Sequence, residues 1–276
     1  MNANNLTKDH IRSERVQRLL ATVKTRKVTI HRLNFEEKLQ SEFLPYLLVD
    51  KVPVIEQELF EKHSFSKRMC LDALRNRFCF LMSNGGILRG ESLFNCELSD
   101  LCDLVKGDEG PHPCHILVMR IAMGKTNGLK TLYGRVMRHA NVKLCAIGAL
   151  GFYHLARFHI SGEIFDFSSN EKWFNVKLLV ESSSANTKVC VSIQTYAKAM
   201  RSICKKLGIV SKHFVHFGRS VGAVKAELEE MDSALIKKLG NWNPDTQEDR
   251  YSAKLPLQAL RIMAGHNRKK GLYYLP

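Results

Sequence analysis

Apolar residues recur at helical spacing through almost every long segment of this chain, and the pattern gives way to strand-type runs in one place only. Residues 5–50 carry mixed charge with a helical repeat (Val16, Leu19, Leu20, Val23), and residues 54–84 continue it more densely, closing at Asn84-Gly85-Gly86, a helix stop. The stretch from Ile87 to Val105 reads as a turn and a second helix, and residues 144–158 as an apolar helix. The segment 195–209 reads as a helix with a basic face ending at Gly208. Two further helices follow in 218–231 and 232–240, and a last one carries Pro256 in its first turn. The exception is Ile116–Met123, a strand, followed by Gly124 to Gly128 as a turn and a second short run. Residues 162–176 read as irregular chain or a short strand. That order excludes a βαβ succession and predicts an α+β fold, mostly α, with a small β hairpin. The connector VDKVP at 49–53 divides it into residues 1–52, a helical appendage or the remnant of a second domain, and residues 53–276.

Charge constrains the partner. Forty-two Lys and Arg face 27 Asp and Glu, a formal excess of +15. Nucleic acid is the expected partner, because each phosphate neutralised by Lys or Arg releases condensed counterions. Hydrophobic residues at 45 % suffice for an ordinary core. No run of eighteen apolar residues predicts a membrane span, and the polar start MNANNLTKDHIRSERV lacks the apolar region of a secretory signal. The eight cysteines form no C-x-x-C and sit mostly in apolar runs, which predicts small buried side chains in a reducing compartment.

Several motifs fail on spacing. PHPCH (His112, Cys114, His115) does not match zinc-ligand spacing, and His154 and His159 lie five apart, off a shared helical face. No metal and no other cofactor are expected. Gly124-Lys125-Thr126 copies the end of a phosphate-binding loop, but the required earlier glycine is Met119. The acidic residues are too scattered to hold two catalytic metals.

DNA strand cleavage without metal needs fixed cations on the non-bridging phosphate oxygens, a proton donor for the departing 5′ oxygen, and a nucleophile able to hold the phosphate as an ester. Arginine suits the first task by its planar, always protonated fork, lysine or histidine the second, tyrosine the third. Five segments fit in order: GGILRGESL with Arg89; the hairpin tip with Lys125, for which Lys130 competes; HFGRSVGA with His216 and Arg219 three apart; LGNW with Trp242; and Tyr251, nine residues on. Plainer roles stay open for each: a surface arginine, a solvated lysine, a core histidine in FVHF, a core tryptophan, an exposed tyrosine among charged neighbours.

The order Arg, Lys, His-x-x-Arg, Trp, Tyr resembles the catalytic domain of tyrosine recombinases (integrases). Stretches such as GRVMRH, LCAIGALGFYHLARF and LGNWNPDTQEDRYSAKLPLQALRIMAGH resemble the second domain of the fungal centromere DNA-binding complex subunit and its relatives, the Crypton mobile-element recombinases. The resemblance covers roughly residues 54–276 and makes 1–52 a candidate remnant of a DNA-clamp domain. It implies that Tyr251 attacks the scissile phosphate to give a 3′-phosphotyrosine, that Arg89 and Arg219 hold the non-bridging oxygens with His216 and Trp242, that Lys125 protonates the leaving oxygen, and that no cofactor is consumed. It also implies double-stranded DNA as partner and a dimer or tetramer on DNA; nuclear location follows from DNA binding together with free thiols. Lys130, Lys198, Arg201, Lys205, Lys206, Arg268, Lys269 and Lys270 are the candidate backbone contacts. One position departs from the family pattern: three residues after Arg89 stands Ser92 rather than an acid, with Glu91 one earlier. A catalytically silent DNA-binding architectural module of centromere or transcription-factor type is the alternative. A basic scaffold for RNA or acidic proteins ranks last, because no aromatic RNA-binding strand motif appears.

Overall fold

One helix organises the molecule. In α1 (Lys67–Gly85) every residue from Ala73 to Asn84 is buried, Arg75, Asn76 and Arg77 among them. A helix covered on all sides lies at a domain's centre, and its polar side chains then need internal partners. Arg75 donates to the Val180 carbonyl (2.9 Å) and to Asp72 (2.6 Å), and Arg77 donates to the Lys143 carbonyl (2.8 Å). The computed structural model describes residues 53–55, 67–107, 109, 112–121, 131–160, 163, 164, 166, 168–182, 189–209, 211, 214–242 and 256–266. After α1 come α2 (Gly90–Phe94), β1 (Leu101–Lys106), β2 (Cys114–Ile121), β3 (Leu132–Met137) and α3 (Ala146–His154), which runs on into a wider π-type turn, Leu155–Ile160. The remainder is α4 (Asn170–Trp173), α5 (Ile193–Lys206), α6 (Phe217–Leu228), α7 (Ser233–Leu239) and α8 (Leu257–Met263). The expected segment 1–52 lies outside the described residues; Ile55, shortly after it, is fully buried in the main core.

The fold is α+β and mostly α, as expected, but the sheet has three antiparallel strands in the order β1-β2-β3 rather than two. The expected second helix ends at Phe94, and Leu101–Lys106 is strand. The register explains the misreading: LCDLVK pairs along one edge of β2, from Leu101↔Met119 to Lys106↔Cys114, and that long-range pairing outweighs its local apolar spacing. In the 162–176 stretch the described structure is a short helix, Asn170–Trp173.

The central strand β2 lacks polar alternation because both of its faces are covered. Leu117, Met119 and Ile121 point into the main core with α1, α3, α5 and α6. Cys114 and Ile116 point into a second cluster, with Ile87, Met137, Ile236 and residues of α8. Successive strand residues face opposite sides, so the sheet is a wedge between two helical layers. It follows that Cys114 and His115 cannot share a ligand: Cys114 is fully buried, while the His115 ring meets the Asp103 carboxylate at 2.8 Å on the other face. The cysteines in the described residues are free thiols, mostly buried; Cys102 on the edge strand is exposed.

Two half-buried histidines are held neutral. Burial, then the Arg157 charge, pushes His154 down to about 4. Burial, then Lys225 and His266, pushes His139 down to about 3. An unfolded histidine takes its proton near pH 6.5, so below that pH the unfolded chain binds more protons and stability falls towards pH 4. Nε2 of His154 is buried with no hydrogen-bond partner, its ring stacking on Phe158 at 5.1 Å. His154→Phe is expected to stabilise the fold by about 1 kcal/mol at neutral pH and to flatten the loss between pH 6.5 and 4. Thermal melts across that range check it; an unchanged acid limb would show that His154 contributes nothing to it.

Candidate nucleic-acid interface

The site begins where α1 stops. Leu88 N–H donates to the Ser83 carbonyl (3.1 Å) and Ile87 N–H to the Asn84 carbonyl (3.4 Å), the double closure of a helix C-terminus, with Ile87 in the left-handed region at φ 51. Arg89 follows in extended conformation (φ −66, ψ 135) as the residue capping α2. Gly90 then touches the chain ahead of α6: a Cβ on it would stand 2.6 Å from both the carbonyl oxygen and Cγ1 of Val215. Only glycine permits that approach, and through it Arg89 and His216, 127 residues apart in sequence, come from adjoining backbone.

His216 is half-buried and caps α6, its carbonyl accepting from Ser220 N–H (3.0 Å) and Ser220 Oγ (3.2 Å). Helix α6 lies hard on α1, for Cβ atoms on Gly218 and Gly222 would come 2.9 Å from Ser83 Cβ and 2.2 Å from the Asn84 carbonyl oxygen. Arg219 sits in the first turn. Its Nη2 donates to the Gly240 carbonyl (3.0 Å) and its guanidinium stacks 4.5 Å over the Trp242 ring. Burial, and next the positive charge of Arg89 nearby, lowers Arg219 to about 10. The first turn of α6 contains no acid, and its free N–H groups add further positive potential. Like charges near a helix N-terminus disfavour one another, and an anion bound there relieves the repulsion.

Trp242 reaches Arg219 from the end of α7 and is only partly buried against the second core. The residue before it, Asn241, is left-handed at φ 50, and its Nδ2 donates to the Tyr133 carbonyl on β3 (3.0 Å). At the same end of β3 a Cβ on Gly134 would meet Leu88 Cδ1 at 2.7 Å. One strand therefore braces both the Arg89 turn and the Trp242 turn, and from that strand the 122–130 connection leaves. Lys125 and Lys130 lie in the connection and, like Tyr251, Arg268, Lys269 and Lys270, fall outside the described residues. Beyond Tyr251 the chain resumes in α8, fixed by the buried ion pair of Arg261 with Glu109 (2.7 Å).

Helix α5 is amphipathic. Tyr196, Met200, Ile203 and Cys204 are buried, while Lys198, Arg201, Lys205 and Lys206 are exposed. Arg201 stacks 5.2 Å over Phe214, two residues before His216, so this basic face adjoins the arginine pair. Of the expected catalytic set, then, Arg89, His216, Arg219 and Trp242 are gathered in one region. Sequence reasoning missed Ile87, Gly90 and Asn241. A glycine directly after Arg89 was the available signal for Gly90; nothing local marks the other two.

Two solved recombinase structures of low identity share this architecture. The FLP recombinase–Holliday junction complex matches with a TM-score of 0.51 at 14% identity over 83% of this chain and 56% of that one. The Flpe–Holliday junction complex matches with a TM-score of 0.51 at 14% identity over 79% and 52%. Ndc10, described as a platform for inner kinetochore assembly in budding yeast, matches with a TM-score of 0.44 at 14% identity over 93% and 71%. The chain spans little more than half of the recombinase chains, and it has their fold. No curated protein matches it in sequence. The sequence pattern of the family described as centromere DNA-binding protein complex CBF3 subunit, domain 2, covers residues 2–276. That match over nearly the whole chain establishes that this chain belongs to the CBF3 subunit, domain 2, family.

Proposed function

We propose that this chain binds double-stranded DNA in the nucleus, gripping the backbone at Arg89, His216, Arg219 and Trp242, with the basic face of α5 and the basic residues of 122–130 and 268–270 extending the contact. The observation that carries the reading is the close approach of Gly90 to Val215, which sets Arg89 near the N-terminus of α6, where burial and next the Arg89 charge disfavour the charge of Arg219. An arrangement of that kind loses stability by itself and regains it on a phosphate. Division into a helical segment 1–52 and a recombinase-like unit 53–276 belongs to the same reading, as does assembly as a dimer or tetramer on DNA.

Strand cleavage is the finer proposal. The Tyr251 oxygen attacks phosphorus, the bond to the 5′ oxygen breaks, and Lys125, or Lys130 in its place, gives that oxygen a proton. The guanidiniums and the Trp242 N–H stabilise the charge gathered on the non-bridging oxygens. A 5′-hydroxyl then reverses the step, as in a recombinase of Crypton type. A second reading, a silent architectural module of the centromere, is favoured by Glu91, which is exposed in the first turn of α2 while Ser92 stands where the recombinase pattern has its acid. A nicked suicide duplex decides between them. A covalent protein–DNA adduct, lost in Tyr251→Phe, establishes cleavage. Tight, salt-sensitive binding with no adduct on any substrate establishes the silent module. No binding at low salt defeats both readings.

A further inference from the structure

Arg135 on β3 repeats the surroundings of Arg219. Its side chain is half-buried, and its guanidinium stacks 5.7 Å from the centre of the Tyr133 ring. Nη1 makes one long hydrogen bond, 3.5 Å, to the Tyr133 carbonyl. Among the described residues no carboxylate meets it. Burial lowers its pKa, as it lowers that of Arg219. A half-buried charge without a counter-ion is unfavourable, and a stacked ring offsets only part of that. Arginines that serve the fold are surrounded differently. Arg157 and Arg261, both buried, pair with Glu163 and Glu109. Arg120 lies on the same sheet face as Arg135, being the cross-strand partner of Tyr133, and pairs with Asp100 at 2.8 Å.

The place of Arg135 ties it to the phosphate site. The Tyr133 carbonyl that receives Arg135 Nη1 also receives Asn241 Nδ2, at 3.0 Å. Asn241 stands between Gly240, whose carbonyl holds Arg219, and Trp242, whose ring stacks on it. Two stacked guanidiniums therefore flank one turn, each held by a carbonyl oxygen and an aromatic face. Tyr133 is 40 % exposed, on the part of β3 from which the 122–130 connection leaves. We propose that Arg135, stacked on Tyr133, is a second backbone-binding arginine that takes a further phosphate of the duplex held at Arg219, with the Tyr133 hydroxyl as an additional donor. The inference rests on the DNA-binding reading and widens that site from α6 onto the face of the sheet. A phosphate supplies the counter-ion the guanidinium lacks, and a fork already stacked in place loses little entropy in meeting it.

The test measures binding of a mixed-sequence DNA duplex by the full chain at several salt concentrations, alongside thermal melts. Arg135→Met keeps the apolar stem and removes the charge. It is expected to weaken binding roughly tenfold and to lower the slope of log K against log salt by about 0.9, one phosphate contact. The melting temperature should stay level or rise, because an uncompensated charge leaves a half-buried position. An arginine that only supports the fold would give the reverse, a lower melting temperature with the slope unchanged, and that result overturns the inference. Arg135→Lys should keep the slope and lose affinity, since the charge remains while the fork and the stacking go. Arg120→Met should leave the slope unchanged, because Asp100 already neutralises that charge; a loss equal to that in Arg135→Met would overturn a built contact at Arg135. Should Arg135→Met fold poorly, Arg135→Gln is read in its place. A slope kept in Arg135→Met but lowered in Arg219→Ala overturns this inference alone. A slope kept in both overturns the phosphate-site reading and this inference with it.

Discussion

Arg219→Ala is expected to weaken duplex DNA binding by roughly ten- to a hundredfold at fixed salt and to lower the salt slope by about one contact. The guanidinium fork is fixed on one side by the Gly240 carbonyl and on its face by Trp242, which leaves its remaining N–H groups aimed in a set direction. Binding at a preorganised donor incurs little ordering entropy, so losing it costs more than losing a flexible surface lysine. Arg219→Lys separates charge from geometry: it keeps the cation but neither the fork nor the stacking, and should recover less than half of the lost binding free energy. Lys205→Ala, on the exposed face of α5, sets the scale for an ordinary backbone contact. Electrophoretic or fluorescence titration at several salt concentrations reads all three. Equal, small losses for Arg219→Ala and Lys205→Ala would mean that α6 presents no special phosphate site.

Gly222→Ala should produce the largest loss of stability from a single added methyl group. Its Cβ would fall 2.2 Å from the Asn84 carbonyl oxygen, a backbone atom at the end of α1, so no side-chain rotation can make room. Helix α6 would have to move off α1, opening the main core between Phe80 and Phe217, whose rings stand 6.1 Å apart. Overpacking against backbone of this kind costs about 3 kcal/mol or more, or roughly 10 °C in melting temperature for a chain of this size. Gly151→Ala is the counter-test. That glycine lies in α3 with nothing within 4 Å of the place a Cβ would take, so alanine there should stabilise by roughly 0.5–1 kcal/mol through helix propensity alone. If both substitutions proved neutral, the tight α1–α6 contact would be excluded.

Arg89, His216, Arg219 and Trp242 could be picked out as candidates because each has a chemically demanding side chain in a recognisable local frame: Arg89 after a helix stop, His216 and Arg219 three apart, Trp242 closing LGNW. The frames held, with small shifts. The stop read at Gly85-Gly86 closes one residue later on Ile87, because those glycines are needed where α1 passes β3. The helix read from 218 starts at Phe217, with His216 as its cap. Strand β1 was illegible, since the apolar spacing of LCDLVK reads as helix and only the pairing with β2 makes it strand. The burial of α1 was equally hidden: Arg75 and Arg77 look like surface residues until carbonyls from Val180 and Lys143, far along the chain, are seen to receive them.

By itself the sequence determined the helix-rich class, the basic excess, and which side chains are chemically fit to hold a phosphate, because propensity, charge and side-chain chemistry are properties of residues and their near neighbours. Tertiary structure alone decided that the Arg89 turn meets the chain ahead of α6, that β3 braces both turns of the site, and that an isoleucine rather than a glycine takes the left-handed position. Those outcomes depend on which surfaces the chain brings together across more than a hundred residues, and steric fit at that range leaves no periodic trace in the sequence.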